Sequence, residues 1–201
     1  MKTVVLLNPP ARRVQLRDLY CSITSKGNYL WPPIALLVLS GNLKDRFDLT
    51  VVDAIAETLS PQAAMARVAA AKPFAIIALT GSASWLVDKD LLSELKSRLG
   101  CLVAVCGDLC VDPDPWFLRD HPWVDALLAD FTTPEIGAFL EAEGKSGEPF
   151  AGIRHRFDGK IVLMTVVDQR ILDAARRLGL GPKRTVEAAA LKETKRLFTQ
   201  F

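Results

Sequence analysis

Two cysteines, Cys106 and Cys110, stand four positions apart directly after the apolar run LVAV. Thiols at this spacing could hold a metal, form a redox pair, or flank the bend of a ligand pocket. Redox pairs favour C-x-x-C at the start of a helix, and the spacing here is one residue too long. His121 and His155 have no cysteine or second histidine at ligand spacing and are predicted to be structural or surface residues. The pattern favours a bend in which the two cysteine thiols take no part in binding or catalysis.

Polar residues follow several other apolar runs. Asn8 and Asp53 end two of them, and Asp108 follows Cys106-Gly107. Each carboxylate could bind a polar ligand group or could cap a turn, and the residues alone leave both open. The first run stops at Asn8-Pro9-Pro10, where neither proline has an N–H to offer to a phosphate. Neither G-x-G-x-x-G nor G-x-x-x-x-G-K-[ST] occurs, which argues against an NAD or ATP site of the usual kind.

The segment TGSAS, residues 80–84, has two interpretations. Small residues let a flat ligand approach the backbone while hydroxyls bind its polar rim, or Ser82 or Ser84 simply caps the next helix. Trp85 could lie over a ligand face or pack in the core, which is the usual fate of a tryptophan.

The composition is that of a globular domain. The 201 residues are 50% hydrophobic and 24% charged, with a formal net charge of +2, so the clustered excess of Lys and Arg that nucleic acid requires is not expected. No apolar run reaches the roughly 18 to 20 residues of a membrane helix. MKTVVLLNPP is predicted to be a strand rather than a signal peptide. Four cysteines without a secretory signal then predict reduced thiols in a cytoplasmic protein.

Short apolar segments alternate with helical patterns. Because almost wholly apolar strands are buried on both faces, we predict an α/β fold, a doubly wound, Rossmann-like (flavodoxin-like) five-stranded parallel sheet. Its strands are expected at 3–7, 49–53, 74–80, 101–105 and 124–129, with helices at 32–47, 61–71 and 85–98 and from 132. The polar connection 11–29 is longer than most loops, and loops of this length often have a functional role.

The chain is expected to divide at 1–150 and 151–201. Asp158-Gly159 predicts a β-hairpin, and helical patterns follow at 169–178 and 184–200, as a helical extension. The last segment is basic with spaced apolar residues, so it could dock a partner or pack back on its own domain.

Six segments, in order, resemble the N-terminal cobalamin (B12)-binding domain of B12-dependent radical SAM enzymes, over about residues 3 to 165. They are LLNPP, YLWPPIAL, VVDAIAETLS, ALTGS, VAVCGD in place of a Gly-Gly bend, and VDALLADFTTPEI, which is similar to a "VDYVVRGEGE" segment. GIRHRFDGKIV is similar to the hairpin that closes that domain.

The resemblance implies a corrin ring on the carboxyl strand ends, with the nucleotide tail displaced from cobalt (base-off) and slotted between sheet and helices. Carried over by position, the cofactor-binding residues would be Asn8, Pro9, Trp31 within 29–33, Asp53, Thr80, Gly81, Ser82, Trp85, Gly107, Asp108, Asp130 and Phe131.

Two family features are missing from the sequence. No D-x-H-x-x-G motif places a histidine below cobalt, and no C-x-x-x-C-x-x-C triplet supplies an iron–sulfur cluster. We therefore expect a cobalamin-binding module that serves a separate radical SAM or other catalytic subunit, or acts as carrier or sensor, without catalysis of its own. The alternatives are the corrinoid-binding part of a split or truncated radical SAM enzyme, and a degenerate Rossmann-like protein acting through protein contacts.

Overall fold

A computed structural model of the chain describes residues 1–18, 22–111 and 117–163. The elements, in order, are β1 (Thr3–Asn8), β2 (Gln15–Arg17), β3 (Ser22–Thr24), α1 (Ile34–Leu43), β4 (Asp48–Asp53), α2 (Pro61–Ala70), β5 (Ala75–Leu79), α3 (Trp85–Leu99), β6 (Leu102–Cys106), α4 (Phe117–Asp120), β7 (Ala126–Leu128), α5 (Glu135–Glu141), β8 (Ile153–Phe157) and β9 (Lys160–Leu163). A 3-10 turn, Asp108–Cys110, follows β6.

Seven strands form the main sheet, in the order β4-β1-β5-β6-β7-β8-β9. The first five are parallel, and their order is that of a flavodoxin-like fold, which confirms the predicted fold class. The chain leaves β1 toward β4 on one side and later returns to β5 on the other. The strand order therefore reverses between β1 and β5, and this switch point is where such sheets bind ligands.

Helices cover both faces of the sheet, as the apolar strands predicted. Residues Val4 and Leu6 of β1 pack in a core with α1 and α5, whereas Val5 and Leu7 pack in a second core with α2 and α3. Successive side chains of a strand point to opposite faces, so both faces of β1 must be apolar. Helix α3 ends at Gly100, whose φ of 63° is the left-handed conformation that terminates helices.

The hairpin around Asp158 and Gly159 is formed and adds two antiparallel strands to the five parallel ones. Strand β8 pairs with β7, and β9 pairs with β8. Both turn residues have positive φ, 49° and 72°, as a tight hairpin turn of this kind requires. The compact unit that contains the sheet comprises Met1–Leu163. The helices predicted at 169–178 and 184–200 lie outside the described residues.

The connection predicted as a polar loop over 11–29 contains two strands. Gln15–Arg17 and Ser22–Thr24 pair antiparallel, and we call this two-stranded sheet, β2 with β3, the ribbon. Three-residue strands are too short to leave a readable alternation in the sequence. Across the part of the chain that the structure describes, no helix has the length and apolar character to cross a bilayer.

Candidate functional site

Two predicted site residues meet at the carboxyl ends of β1 and β4. The two strands are in register, so Asn8 lies opposite Asp53. The Asn8 side-chain amide donates a 2.8 Å hydrogen bond to Asp53 Oδ1. The same oxygen accepts a 3.1 Å hydrogen bond from the Ala56 backbone N–H. Asp53 therefore caps a turn and orients Asn8, which is itself buried.

A buried ion pair occupies the switch point. Arg17, on β2, and Asp88, in the first turns of α3, have side chains that are 1% and 0% exposed. The guanidinium binds the carboxylate through both oxygens, with Nη2–Oδ1 at 2.7 Å and Nε–Oδ2 at 3.0 Å. Asp88 Oδ2 also accepts hydrogen bonds from the hydroxyls of Ser84, at 2.6 Å, and Thr80, at 2.9 Å. Bidentate, charge-assisted bonds of this kind are the strong ones, and here they satisfy both oxygens of the carboxylate.

Arg17 also binds the end of β1. Its Nη1 donates to Asn8 Oδ1 and to the carbonyl of Pro9, each at 2.9 Å. Pro9 lacks an N–H and offers only this carbonyl. One arginine thus joins the ribbon to β1 and α3. Neither Arg17 nor Asp88 is among the site residues predicted from the sequence, because their pairing depends on how the 11–29 connection folds.

The loop after β5 is covered by the ribbon. The Ala83 N–H donates a 3.2 Å hydrogen bond to Ser22 Oγ of β3. A Cβ placed on Gly81 would overlap that hydroxyl and lie 2.7 Å from Ser22 Cβ. The hollow that the glycine leaves is thus filled by Ser22.

Asp108 faces the same loop from the end of β6. Its carboxylate accepts hydrogen bonds from the Ser82 N–H, at 2.9 Å, and from the Ser82 hydroxyl, at 2.6 Å. The Leu109 N–H adds a third, at 2.9 Å. Asp108 therefore links the β5 and β6 loops. Ser84, at the N-cap position of α3, makes no capping hydrogen bond, because its hydroxyl is bound to Asp88.

Gly107 allows the β5 and β6 loops to touch through their backbones. Its φ is 135°, and a Cβ there would overlap the Thr80 carbonyl oxygen and lie 2.9 Å from its carbonyl carbon. The Thr80 N–H in turn donates a 2.8 Å hydrogen bond to the Cys106 carbonyl. Only glycine suits both this conformation and this approach.

The cysteines on either side of Gly107, Cys106 and Cys110, are buried. Cys106 Sγ lies 3.6 Å from the Ala78 carbonyl, and Cys110 Sγ lies 3.4 Å from the Val105 carbonyl. Burial raises the pKa of the Cys106 thiol to about 12 and holds the pKa of Cys110 well above its ordinary value. A nucleophile or metal ligand must be a thiolate, which burial disfavours here. Within 1–18, 22–111 and 117–163, no three His, Cys, Asp or Glu side chains are grouped to hold a metal ion.

The outer predicted residues remain accessible. Trp31 is 48% exposed and its ring centroid is 6.2 Å from that of Tyr29, which is also exposed. Asp130 is exposed and accepts hydrogen bonds from the Thr132 N–H and hydroxyl, at 2.8 and 2.6 Å. Phe131 is half-buried against the core of α1 and α5. These side chains form the open rim of the candidate site.

Trp85 packs in an aromatic cluster. Its ring centroid lies 4.9 Å from Phe117, 5.0 Å from His121 and 5.9 Å from Trp123. Burial is the main cause that lowers the pKa of His121, and nearby Lys89 lowers it further. His155 is fully buried among Phe139 and Phe150, where burial also lowers its pKa.

Comparison with known proteins finds likeness in fold. No protein-family model and no curated protein matches the chain. Two structures of the radical S-adenosylmethionine methyltransferase TsrM from Kitasatospora setae are similar. The one with tryptophan substrate and a SAM analogue gives a TM-score of 0.57 at 13% identity, over 82% of this chain and 30% of that chain. The one with cobalamin and a 4Fe–4S cluster gives a TM-score of 0.54 at 16% identity, over 80% of this chain and 28% of that chain.

The apo form of the cobalamin-dependent S-adenosylmethionine radical enzyme OxsB gives a TM-score of 0.58 at 14% identity, over 83% of this chain and 23% of that chain. This chain thus spans less than a third of each of these proteins. At such identities the likeness establishes the shared fold.

Proposed function

We propose that this chain binds a cobalamin-type corrinoid at the carboxyl ends of its parallel strands. The observation that carries the proposal is the fold likeness, over 80% or more of the chain, to enzymes whose names specify cobalamin. Five of the six sequence segments of the resemblance support it, because they fall on strand ends that the fold brings together, and the sixth, YLWPPIAL, lies at the start of α1. The corrin ring would lie over the strand ends with its nucleotide tail off cobalt, between sheet and helices.

The described residues fit this group at the rim. Trp31 offers an exposed flat apolar surface to a ring edge, and Asp130 offers a carboxylate that can accept from the ring's amide groups. At the β5 loop, the fit requires movement, since Ser22 fills the space beside Gly81. Asn8, Asp53, Thr80, Ser82 and Asp108 are held by partners within the chain, so their role is to shape the loops that the corrinoid would contact.

The chemistry that a corrinoid supplies would be completed by other residues. A cobalamin can carry an alkyl group or an electron, but the 201 residues lack the cysteine triplet of an iron–sulfur cluster. We therefore propose that this chain holds the corrinoid for a radical SAM or other catalytic polypeptide.

Titration of the protein with hydroxocobalamin tests the proposal. Trp31→Ala should raise the dissociation constant, because it removes part of the rim. Ile161→Ala is the matched control, since Ile161 is also exposed, at 40%, but lies on the edge strand β9, and its dissociation constant should not change. Cobinamide, which lacks the nucleotide tail, should bind more weakly than hydroxocobalamin if the tail is held in a slot. Equal binding of both corrinoids would refute the tail slot.

A second candidate is a protein of this fold that acts through protein contacts alone. The observation that favours it is the internal satisfaction of the strand-end polar groups, with Thr80 bound to Asp88 and Ser82 bound to Asp108. Under this alternative, wild-type protein binds neither corrinoid.

A further inference from the structure

The ribbon lies over the loop where the corrinoid is proposed to rest. Ser22 of β3 fills the hollow at Gly81 and accepts the hydrogen bond of the Ala83 N–H. The guanidinium of Arg17, on β2, donates hydrogen bonds to Asp88, Ser84 and Asn8. The ribbon therefore covers the β5 loop on the side where the strand order reverses.

Polar contacts, rather than apolar packing, hold the ribbon in place. Neither apolar core includes any described residue between Pro9 and Ile34. Ile23, a large apolar residue of β3, is 48% exposed. An element that buries little apolar surface can leave its position without disrupting a core, and such elements are the ones that open locally.

The Arg17–Asp88 ion pair attaches the ribbon to α3. Arg17 makes two hydrogen bonds to Asp88, both in a buried setting. Removing one partner would leave an unpaired buried charge, which is strongly unfavourable, but moving the whole ribbon brings Arg17 into water and opens Asp88 to it as well. Separating the two side chains inside the closed site is therefore unfavourable, whereas moving the whole ribbon as one piece exposes both charges to water.

We infer that the ribbon is a lid over the Thr80–Ser82 loop, fastened by the Arg17–Asp88 ion pair, which must open before a corrinoid can settle there. This inference rests on the proposed function. The closed lid competes with the ligand, so the apparent dissociation constant equals the intrinsic one divided by the open fraction. Weakening the fastening should consequently tighten corrinoid binding.

The double variant R17M/D88N tests the lid. The asparagine introduced by D88N can still accept hydrogen bonds from the hydroxyls of Ser84 and Thr80. Methionine at position 17 keeps an aliphatic stem but has no guanidinium, so no unpaired charge is buried. We expect the dissociation constant for hydroxocobalamin to fall, by about tenfold if the open fraction rises tenfold. The control K96M/D125N removes another ion pair, of 2.6 Å, whose carboxylate binds the Val103 N–H near the start of β6. The dissociation constant of K96M/D125N for hydroxocobalamin should match that of the wild type. Unchanged or weaker binding by a folded R17M/D88N overturns the lid.

Hydrogen exchange of the wild-type chain tests the lid without substitutions. The Ser25 N–H is bound to the Val14 carbonyl, and the Ala83 N–H to Ser22. The lid predicts that saturating hydroxocobalamin speeds exchange in peptides covering 14–25. Slower or equal exchange in a chain that has retained the corrinoid overturns the lid while leaving the proposed function standing. A chain that retains no corrinoid refutes the proposed function and, with it, the lid.

Discussion

Replacing Gly107 by alanine should destabilise the fold itself, apart from any effect on a ligand. The residue has a φ of 135°, which side-chain-bearing residues rarely adopt, and an added Cβ would overlap the backbone carbonyl of Thr80. Backbone strain of this kind costs about 1–3 kcal/mol, and forced overlap in a packed site costs about as much again. We therefore expect the free energy of unfolding to fall by about 2–6 kcal/mol, a large share of the roughly 5–15 kcal/mol available to such a domain.

Urea denaturation monitored by circular dichroism measures this change in the free energy of unfolding. Variants of two other glycines distinguish the cost of backbone strain from the cost of steric overlap. Gly159 has a φ of 72° but nothing within 4 Å of an added Cβ, so Gly159→Ala should cost only the strain, about 1–2 kcal/mol. Gly41 lies in α1 with open space, so Gly41→Ala should stabilise by about 0.5–1 kcal/mol. A loss at Gly107 below about 0.5 kcal/mol, or no larger than that at Gly159, would refute the close approach of the two loops.

Three further predictions concern the buried polar groups. Asp88→Ala should lower the free energy of unfolding, by up to about 3–5 kcal/mol if Arg17 stays buried and unpaired, and by less if the ribbon opens and brings Arg17 into water; no loss at all in thermal or urea unfolding would contradict the buried ion pair. Cys106 and Cys110 should resist Ellman's reagent at pH 8 until urea unfolds the chain, since burial raises both pKa values, and replacing both by serine should leave corrinoid binding largely intact. Because the chain has four cysteines, rapid labelling of more than two thiols in the native protein would show that at least one of the pair is accessible. Burial lowers the pKa of His155, so the unfolded state binds a proton more readily, and stability should fall as the pH drops below about 6.5. His155→Leu should weaken this dependence in urea midpoints measured at several pH values, and an unaltered profile would contradict it.

The architecture was predictable because it rests on local patterns. Runs such as TVVLL and FAIIALT are apolar except for one terminal threonine each, which indicates strands covered on both faces, and both form inner strands of the sheet. Gly100 ends a helix and Asp158-Gly159 turns a hairpin because their backbone conformations are set within a few residues.

The polar centre of the site was not predictable in the same way. Asn8, Asp53 and Thr80 could be placed at strand ends from the pattern, but their partners could not. Arg17 lies 71 positions before Asp88 in the sequence, and nothing in its neighbourhood marks it as the residue that would be buried. Trp85 shows the same limit, since its packing against Trp123 depends on the fold of a distant segment.

The proposal that this chain binds a corrinoid is tested most directly by one spectrum. The purified full chain, free of corrinoid, is incubated with hydroxocobalamin, passed through a gel-filtration column, and its visible absorption is recorded. If the chain binds a corrinoid at its strand ends, the corrinoid bands should elute with the protein at near one equivalent, shifted to the base-off form because the tail is held away from cobalt. Protein that elutes with no visible absorption, at concentrations where the chain is folded, would contradict it.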